Sequence, residues 1–390
     1  MAEVRLEGVS KYYGDVEAVR DLNLVCPDGA MLALLGPSGC GKTTTLKMLA
    51  GIEEVSEGEL WFDERPVSRL APAERNIAMV FEDYALYPHL TAFENIAFPL
   101  RIRGFSAAEI GRRVNQTLDL LLLNTMRDER ASRLSGGAQQ RISIGRALVR
   151  DPELILFDEP LSHLDGDQKV QLRSEIKRLQ KTTGLSAVLV THDQTEAVAM
   201  SDLVAIMDQG ILQQVGPPEE LYRYPANLFV AKFIGEPPMN LLAVEMHDDA
   251  GTLVLTGKAG WKISLGGELA ARIRGATGSR QATLGIRPEH LELADPGAGD
   301  GVNCHPGRIW WRERRGDVEV IFLHLLDRDR GSGSGDTNAE EILVEIHSPS
   351  PFPEGAVVNV VFDPGSLSLF DAETGRNMLA ARNSAREVRA

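Results

Sequence analysis

The sequence predicts an α/β layer domain around a largely parallel sheet, carrying a helical insertion and followed by a smaller antiparallel β domain. Three observations predict it. Apolar β-type runs alternate with helical patterns up to about residue 235, residues 88–150 carry long helical patterns without a convincing strand, and after Gly235-Glu236-Pro237-Pro238 short strands punctuated by Gly and Pro take over. The boundary is therefore placed near residue 236, dividing the chain into 1–235 and 236–390.

Taken in order, the first clear strand covers residues 31–35 and runs through a Gly-rich turn into a helix over 44–50. The insertion supplies helices over 107–124 and 139–150. Strands follow at 154–157 and 187–190, joined by a helix over 168–181 in which Leu172, Ile176 and Leu179 recur at helical spacing. Beyond the boundary, 252–255, 282–286, 318–323, 342–346 and 357–362 read as strands of a small antiparallel barrel. Gly331-Ser332-Gly333-Ser334-Gly335 reads as a flexible loop, residues 381–390 as a frayed tail, and no internal repeat is found.

The 41 Lys and Arg are outnumbered by 56 Asp and Glu, and the excess is present on both sides of residue 240. A domain that neutralises phosphates along DNA or RNA is normally basic, so stable nucleic-acid binding is not expected. Three cysteines, Cys26, Cys40 and Cys304, are too few and too scattered for a disulfide framework or a zinc ribbon, which points to a cytoplasmic chain. No apolar run approaches the roughly 18 to 20 residues that cross a bilayer, and no secretion signal or lipidation motif opens the sequence. Work at a membrane would then go through a partner.

Gly36-Pro37-Ser38-Gly39-Cys40-Gly41-Lys42-Thr43 fits G-x-x-x-x-G-K-[ST] and lies between a strand and a helix, as a phosphate-binding loop requires. Its glycines let backbone N–H groups turn inward around phosphates, and the helix N-terminus adds a favourable dipole. Lys42 is expected to reach the β- and γ-phosphates, and Thr43 to ligate Mg²⁺. Residues 154–159, Leu-Ile-Leu-Phe-Asp-Glu, form an apolar strand ending in two carboxylates. Beside a phosphate loop, Asp158 is expected to serve Mg²⁺ through water, and Glu159 to act as base toward an attacking water.

Leu134-Ser135-Gly136-Gly137-Ala138-Gln139-Gln140-Arg141, just upstream of that strand, looks like the ABC-transporter signature, and with the other motifs in order the chain resembles an ABC ATPase. Residues 21–235 are similar to the P-loop NTPase ABC cassette. Gly235 to Asn240 and Gly285-Ile286-Arg287-Pro288-Glu289-His290 resemble the OB-type regulatory domain of the carbohydrate-importer branch, the maltose-importer ATPase type. Ala85-Leu86-Tyr87-Pro88-His89 and the run from Thr191 to Ala197 are further matches.

The resemblance implies an ATP-hydrolysing subunit with ATP and Mg²⁺ as cofactors, coupling hydrolysis to uptake of a sugar, polyol, glycerol or glycerol phosphate. It implies a head-to-tail pair of cassettes, with ATP between the phosphate loop (through Thr44) of one and Ser135, Gly136 and Gly137 of the other. Tyr13 would stack on adenine, Glu82 would contact nucleotide and Mg²⁺, Asp165 would belong to a dimer-crossing loop, and His192 would sense the γ-phosphate. The implied partners are a second ATPase subunit, two membrane-spanning permease subunits and, through the complex, an extracytoplasmic solute-binding protein. The implied location is the cytoplasmic face of the cell membrane, held peripherally.

Three positions depart from the family pattern, which has Gln where Glu82 stands, Gln where Ala138 stands and Asn where His163 stands. A carboxylate at position 82 can still accept and ligate but loses an N–H₂ donor. Two unit charges about 4 Å apart at an effective dielectric near 20 interact by about 4 kcal/mol, so ATP affinity is expected to depend more on Mg²⁺ here than in a Glu82→Gln variant. Because all three departures flank the nucleotide site, a heterodimer with unequal sites stands as an alternative to a homodimer. Cys40 is either a reactive thiol at a helix N-terminus or a small residue that fits the turn. Trp310 and Trp311, with Arg308, Arg312, Arg314 and Arg315 around them, are read as barrel core plus dimer or regulatory contacts rather than a nucleic-acid platform. A soluble ABC protein acting on nucleic acid or ribosomes is the remote alternative.

Overall fold

A computed structural model of the chain describes residues 2–249, 251–276, 279–296, 303–326, 340–347 and 350–379. The Gly331–Gly335 loop and the tail expected over 381–390 lie outside the described residues. Two compact units divide at Pro218 and Glu219.

The first unit holds strands β1 (Val4–Tyr13), β2 (Val16–Cys26) and β3 (Met31–Leu35), helix α1 (Lys42–Ala50), and strands β4 (Glu57–Phe62), β5 (Arg65–Pro66) and β6 (Ile77–Val80). Helices α2 (Ala92–Ile102), α3 (Ala107–Leu120) and α4 (Gly136–Leu148) come next. Strand β7 (Leu154–Asp158), α5 (Gly166–Thr183), β8 (Ser186–Thr191), α6 (Gln194–Met200), β9 (Leu203–Asp208) and β10 (Ile211–Gly216) complete it.

Its main sheet has the order β10-β9-β3-β8-β7-β6 and is parallel except for β10 at the edge. Strands β3 and β8 are buried at every position, which is why they read as unbroken apolar runs. A second, antiparallel sheet of order β2-β1-β4-β5, absent from the sequence expectation, packs against it. Val4, Leu6 and Leu22 from the smaller sheet share one core with Leu34, Leu156 and Val190 from the larger and Leu46 of α1.

Between β6 and β7 there are only helices and helical turns, so the insertion is helical as expected. Thr91 opens α2 with a reciprocal cap: its hydroxyl accepts from the Glu94 N–H while Glu94 accepts from the Thr91 N–H. Buried Asn95 then fastens the preceding turn, its amide bonding both the N–H and the carbonyl of Tyr87.

The second unit starts earlier than residue 236 because α7 (Pro218–Arg223) and α8 (Leu228–Phe233) are fastened to the strands beyond. The buried Arg287 guanidinium donates to the carbonyls of Ile234 and Tyr222 and lies 3.9 Å from the centre of the Tyr222 ring. Strands β11 (Asn240–Asp249), β12 (Thr252–Gly257), β13 (Lys262–Leu265), β14 (Gln281–Ile286) and β20 (Leu367–Asp371) form one antiparallel sheet. The other contains β15 (Leu291–Ala294), β16 (Cys304–Arg315), β17 (Val318–Leu325), β18 (Glu340–Ile346) and β19 (Val357–Phe362). Helix α9 (Gly267–Ala276) and both sheets enclose a core that includes Trp261, Leu284, Ile321, Val344 and Val360.

The structure corrects the reading of Trp310 and Trp311 as core. Both are about half exposed, at 45% and 49%. The β16–β17 register slips between Ile309 and Trp311, a bulge that breaks the in-out alternation and leaves two consecutive indoles outside. Trp310 lies flat against His324 with ring centres 5.9 Å apart.

Candidate functional site

Neighbouring parallel strands present their C-terminal ends along one edge of a sheet, where α/β proteins hold their ligands. In the order β3-β8-β7-β6 this edge gathers Gly36 to Thr43 after β3, His192 after β8, Asp158 and Glu159 at the end of β7, and Glu82 after β6. The sheet order thus brings together motifs separated by more than a hundred residues of chain.

The phosphate loop is shaped by what glycine permits. A Cβ at Gly36 would collide with the Met207 carbonyl oxygen and press on Cys40 Sγ. Gly41, which caps α1, has φ +103° and lies where a side chain would meet the Ala18 carbonyl at 2.6 Å. Pro37, Ser38 and Gly39 form the exposed rim. Lys42 is folded inward: its ammonium donates to the carbonyls of Gly36 at 2.7 Å and Pro37 at 2.9 Å. Thr43 is exposed and Thr44 half-buried on the first turn of α1.

Cys40 is buried, and burial pushes its thiol above the ordinary value despite the pull of Lys42. The nucleophilic thiolate is therefore disfavoured, and the residue fills the turn as a small apolar group.

Glu159 follows β7 with φ +43°, in a left-handed conformation that a non-glycine residue rarely adopts. Its N–H donates to the Val190 carbonyl at 3.0 Å, and the turn is tightened by Ser162, whose hydroxyl donates to the Glu159 carbonyl. Glu159 Oε2 sits 3.0 Å from His192 Nδ1. Asp158 is pushed above the usual carboxylate range, first by burial, then by the Glu159 and Glu82 carboxylates, with Lys47 pulling the other way. Glu82 Oε1 lies 3.5 Å from His163 Nε2.

These groups fit a magnesium ion. Thr43, Glu82 and Asp158 are hard oxygen donors, and the crowding felt by Asp158 is negative charge that a divalent cation would offset. Among the described residues no group of three or more His, Cys, Asp or Glu is placed to hold a metal ion.

Tyr13 ends β1 with its ring 44% exposed, beneath the Lys11 ammonium at 4.9 Å from the ring centre. Its hydroxyl is pushed up by partial burial and by Glu53, with Lys11 and Thr44 pulling the other way.

The signature lies elsewhere on the unit. Ser135 caps α4, its hydroxyl accepting from the N–H of buried Ala138, and Gly136 and Gly137 are the first residues of the helix rather than residues before it. A Cβ at Gly136 would crowd Leu164 at 3.1 Å and the Tyr84 hydroxyl at 3.3 Å. Asp165 caps α5 without a side-chain bond to it. Among the described residues no hydrogen bond joins Ser135, Gly136, Gly137 or Asp165 to the phosphate loop.

Several contributors escaped the sequence reading. Lys47 is one turn beyond Lys42 on α1 and compensates Asp158. Tyr84 and Ala85 are both left-handed, and their carbonyls are gripped from α4 by Ser143 and Arg146. Only the helical spacing of Ser143 and Arg146 hinted at a shared face. A groove of ≈ 720 Å³ beside α2 and α4 is lined by Ile52, Phe81, Phe98 and Ile102 together with Arg103 and Arg150.

A family model described as ABC transporter matches residues 19–162, and one described as MalK OB fold domain matches residues 235–291. The chain is 41% identical to the trehalose import ATP-binding protein SugC of Mycobacterium tuberculosis, over 97% of this chain and 98% of that one. It is 41% identical to the trehalose/maltose import ATP-binding protein MalK of Thermococcus litoralis, over 96% and 99%. It is 39% identical to the sn-glycerol-3-phosphate import ATP-binding protein UgpC of a Ruegeria species, over 97% and 99%. Among solved structures, cbiO1 of Clostridium perfringens, part of the ABC transporter complex cbiONQ, superposes with a TM-score of 0.53 at 27% identity, covering 56% of this chain and 89% of that one.

Proposed function

Because the chain belongs to the family of ABC transporter ATP-binding proteins, binding and hydrolysing ATP, we propose that it powers an importer for a sugar, polyol, glycerol or glycerol phosphate. The observation that supports this reading most strongly is that the similarity to sugar and glycerol-phosphate import proteins runs through both units, including the MalK-type second domain. Every relative named above from sequence is an import protein, which favours this reading over one on nucleic acid.

In the proposed mechanism, Lys42 and the inward N–H groups of residues 36–44 hold the phosphates, and Tyr13 carries the adenine. Bound Mg²⁺, held by Thr43, Asp158 and Glu82, would offset charge on the phosphate oxygens. Glu159 accepts a proton from water aimed in line at the γ-phosphorus, and His192 holds the Glu159 carboxylate in place. Ser135, Gly136 and Gly137 would complete the site on a second copy, α4 pointing its N-terminal N–H groups at the γ-phosphate. A homodimer is the simplest such pair.

Among the described residues no helix is long and apolar enough to cross a membrane. As with its relatives, which are import ATP-binding proteins, the chain would work at the cytoplasmic face through permease subunits. The groove beside α2, lined by apolar side chains and arginines, is the proposed seat for a permease helix. The arginines would meet its carboxylates. Uptake of labelled solutes by cells lacking the chain tests the reading. Loss of sugar or glycerol-phosphate uptake, restored by the unaltered chain and not by Lys42→Ala, is expected; intact uptake of these with loss of a metal, anion or polyamine would refute the cargo class.

A further inference from the structure

Glu82 and His163 sit on different loops, one after β6 and one between β7 and α5, yet their side chains meet at 3.5 Å. Both are about half exposed, and neither is needed to close the core. The Glu82 carboxylate is close enough to the end of β7 to raise the Asp158 pKa together with Glu159. Three carboxylates thus crowd this part of the sheet edge, and the donors facing them are Lys47 toward Asp158, His192 toward Glu159 and His163 toward Glu82.

We propose that His163 is a positioning residue for Glu82 and that the two act as one unit at the nucleotide site. The inference rests on the ATP-site reading above. A carboxylate beside the γ-phosphate repels it unless something draws its charge away, and the edge of the His163 ring, 3.5 Å from Glu82 Oε1, brings a polar N–H near enough to do so without a formed hydrogen bond. Proton uptake is not required, since the neutral tautomer with hydrogen on Nε2 also carries an N–H at that edge. A carboxylate at position 82 and a histidine at position 163 therefore belong together, and removing either alone leaves the other without its partner. The effect falls on ATP more than on ADP, because only ATP places a γ-phosphate near residue 82.

The test is a double-mutant cycle on the full-length chain, measuring dissociation constants for ATP and ADP with Mg²⁺ by isothermal titration. An exposed pair of this kind predicts that His163→Ala weakens ATP binding about 1.5- to 5-fold, with ADP changed less. In a Glu82→Gln background the same His163→Ala change should leave ATP binding unaltered. Equal weakening in both backgrounds, or equal weakening for ATP and ADP, overturns the proposal while leaving the ATP site intact. Failure of the unaltered chain to bind ATP removes the site reading and this inference with it. Circular dichroism melting of all four proteins should coincide, since both side chains are half exposed.

Discussion

The 3.0 Å contact between Glu159 and His192 makes a quantitative statement about turnover. If Glu159 is the base, Glu159→Gln should lower kcat about 10²- to 10⁴-fold, the usual contribution of general base catalysis. His192 acts through Glu159, so its removal should cost what a hydrogen bond to a charged group is worth, about 1.5 to 3 kcal/mol, or roughly 10- to 150-fold in kcat. The backbone of Glu159 is held independently by the Val190 carbonyl, so His192→Ala should not unfold the turn. The informative protein is the double variant. Once Glu159→Gln has removed the base, His192 has nothing to hold, and its loss should cost less than about threefold more. Single-turnover phosphate release from the assembled transporter, with ATP affinity measured in parallel, reads both quantities. Multiplicative losses in the double variant, or a loss carried by ATP affinity instead of kcat, would refute the assignment of His192 as the residue that positions the base.

Asp158→Asn should abolish Mg²⁺-dependent hydrolysis yet raise the melting temperature of the nucleotide-free chain at neutral pH. A carboxyl whose pKa is raised by folding favours the folded state only while protonated, so the gain should vanish as pH falls through its titration toward the ordinary aspartate range near 3.9. Glu82→Gln should make ATP affinity less sensitive to Mg²⁺, checked by titration with and without a chelator; equal sensitivity would contradict a role for Glu82 at the ion. Arg287→Ala strands the carbonyls of Ile234 and Tyr222 and should cost about 3 kcal/mol, seen by calorimetry as a drop of roughly 6 to 12 °C in the transition of the second unit. Ile102→Glu, exposed at the rim of the α2 groove, should leave ATP binding unchanged but uncouple hydrolysis from transport in reconstituted vesicles.

The strands that were legible in the sequence are those whose burial leaves no ambiguity. Leu32, Ala33 and Leu34 on β3 and Val188, Leu189 and Val190 on β8 are covered on both faces, so the apolar run is continuous. Strands β1 and β2 were not legible because their pairing is irregular: the register shifts between Leu6 and Val9, between Val9 and Lys11 and again before Tyr12, and Asp21 interrupts β2 with φ +41°. An alternating pattern interrupted three times in ten residues reads as loop. The compact units divide before the boundary read from the sequence, where the MalK OB fold domain match begins, for a related reason. Gly235 and the prolines after it are strong local punctuation, while the attachment of α7 and α8 depends on Arg287, more than fifty residues away, and leaves no local trace.

The phosphate loop was legible as a motif because its turn demands particular residue types: glycine where the Met207 and Ala18 carbonyls close in, and lysine where the loop's own carbonyls converge. The loop after β6 is constrained from a distance. Its Tyr84 and Ala85 are held in a left-handed conformation by Ser143 and Arg146 of α4, the helix whose first turn carries Gly136 and Gly137. A side chain at Gly136 on the same helix N-terminus would press on Leu164, one residue from His163, which faces Glu82 at the start of the strained loop. The signature helix is thus tied to the loop after β6 through Arg146, which holds the Tyr84 and Ala85 carbonyls, while His163 meets the Glu82 side chain.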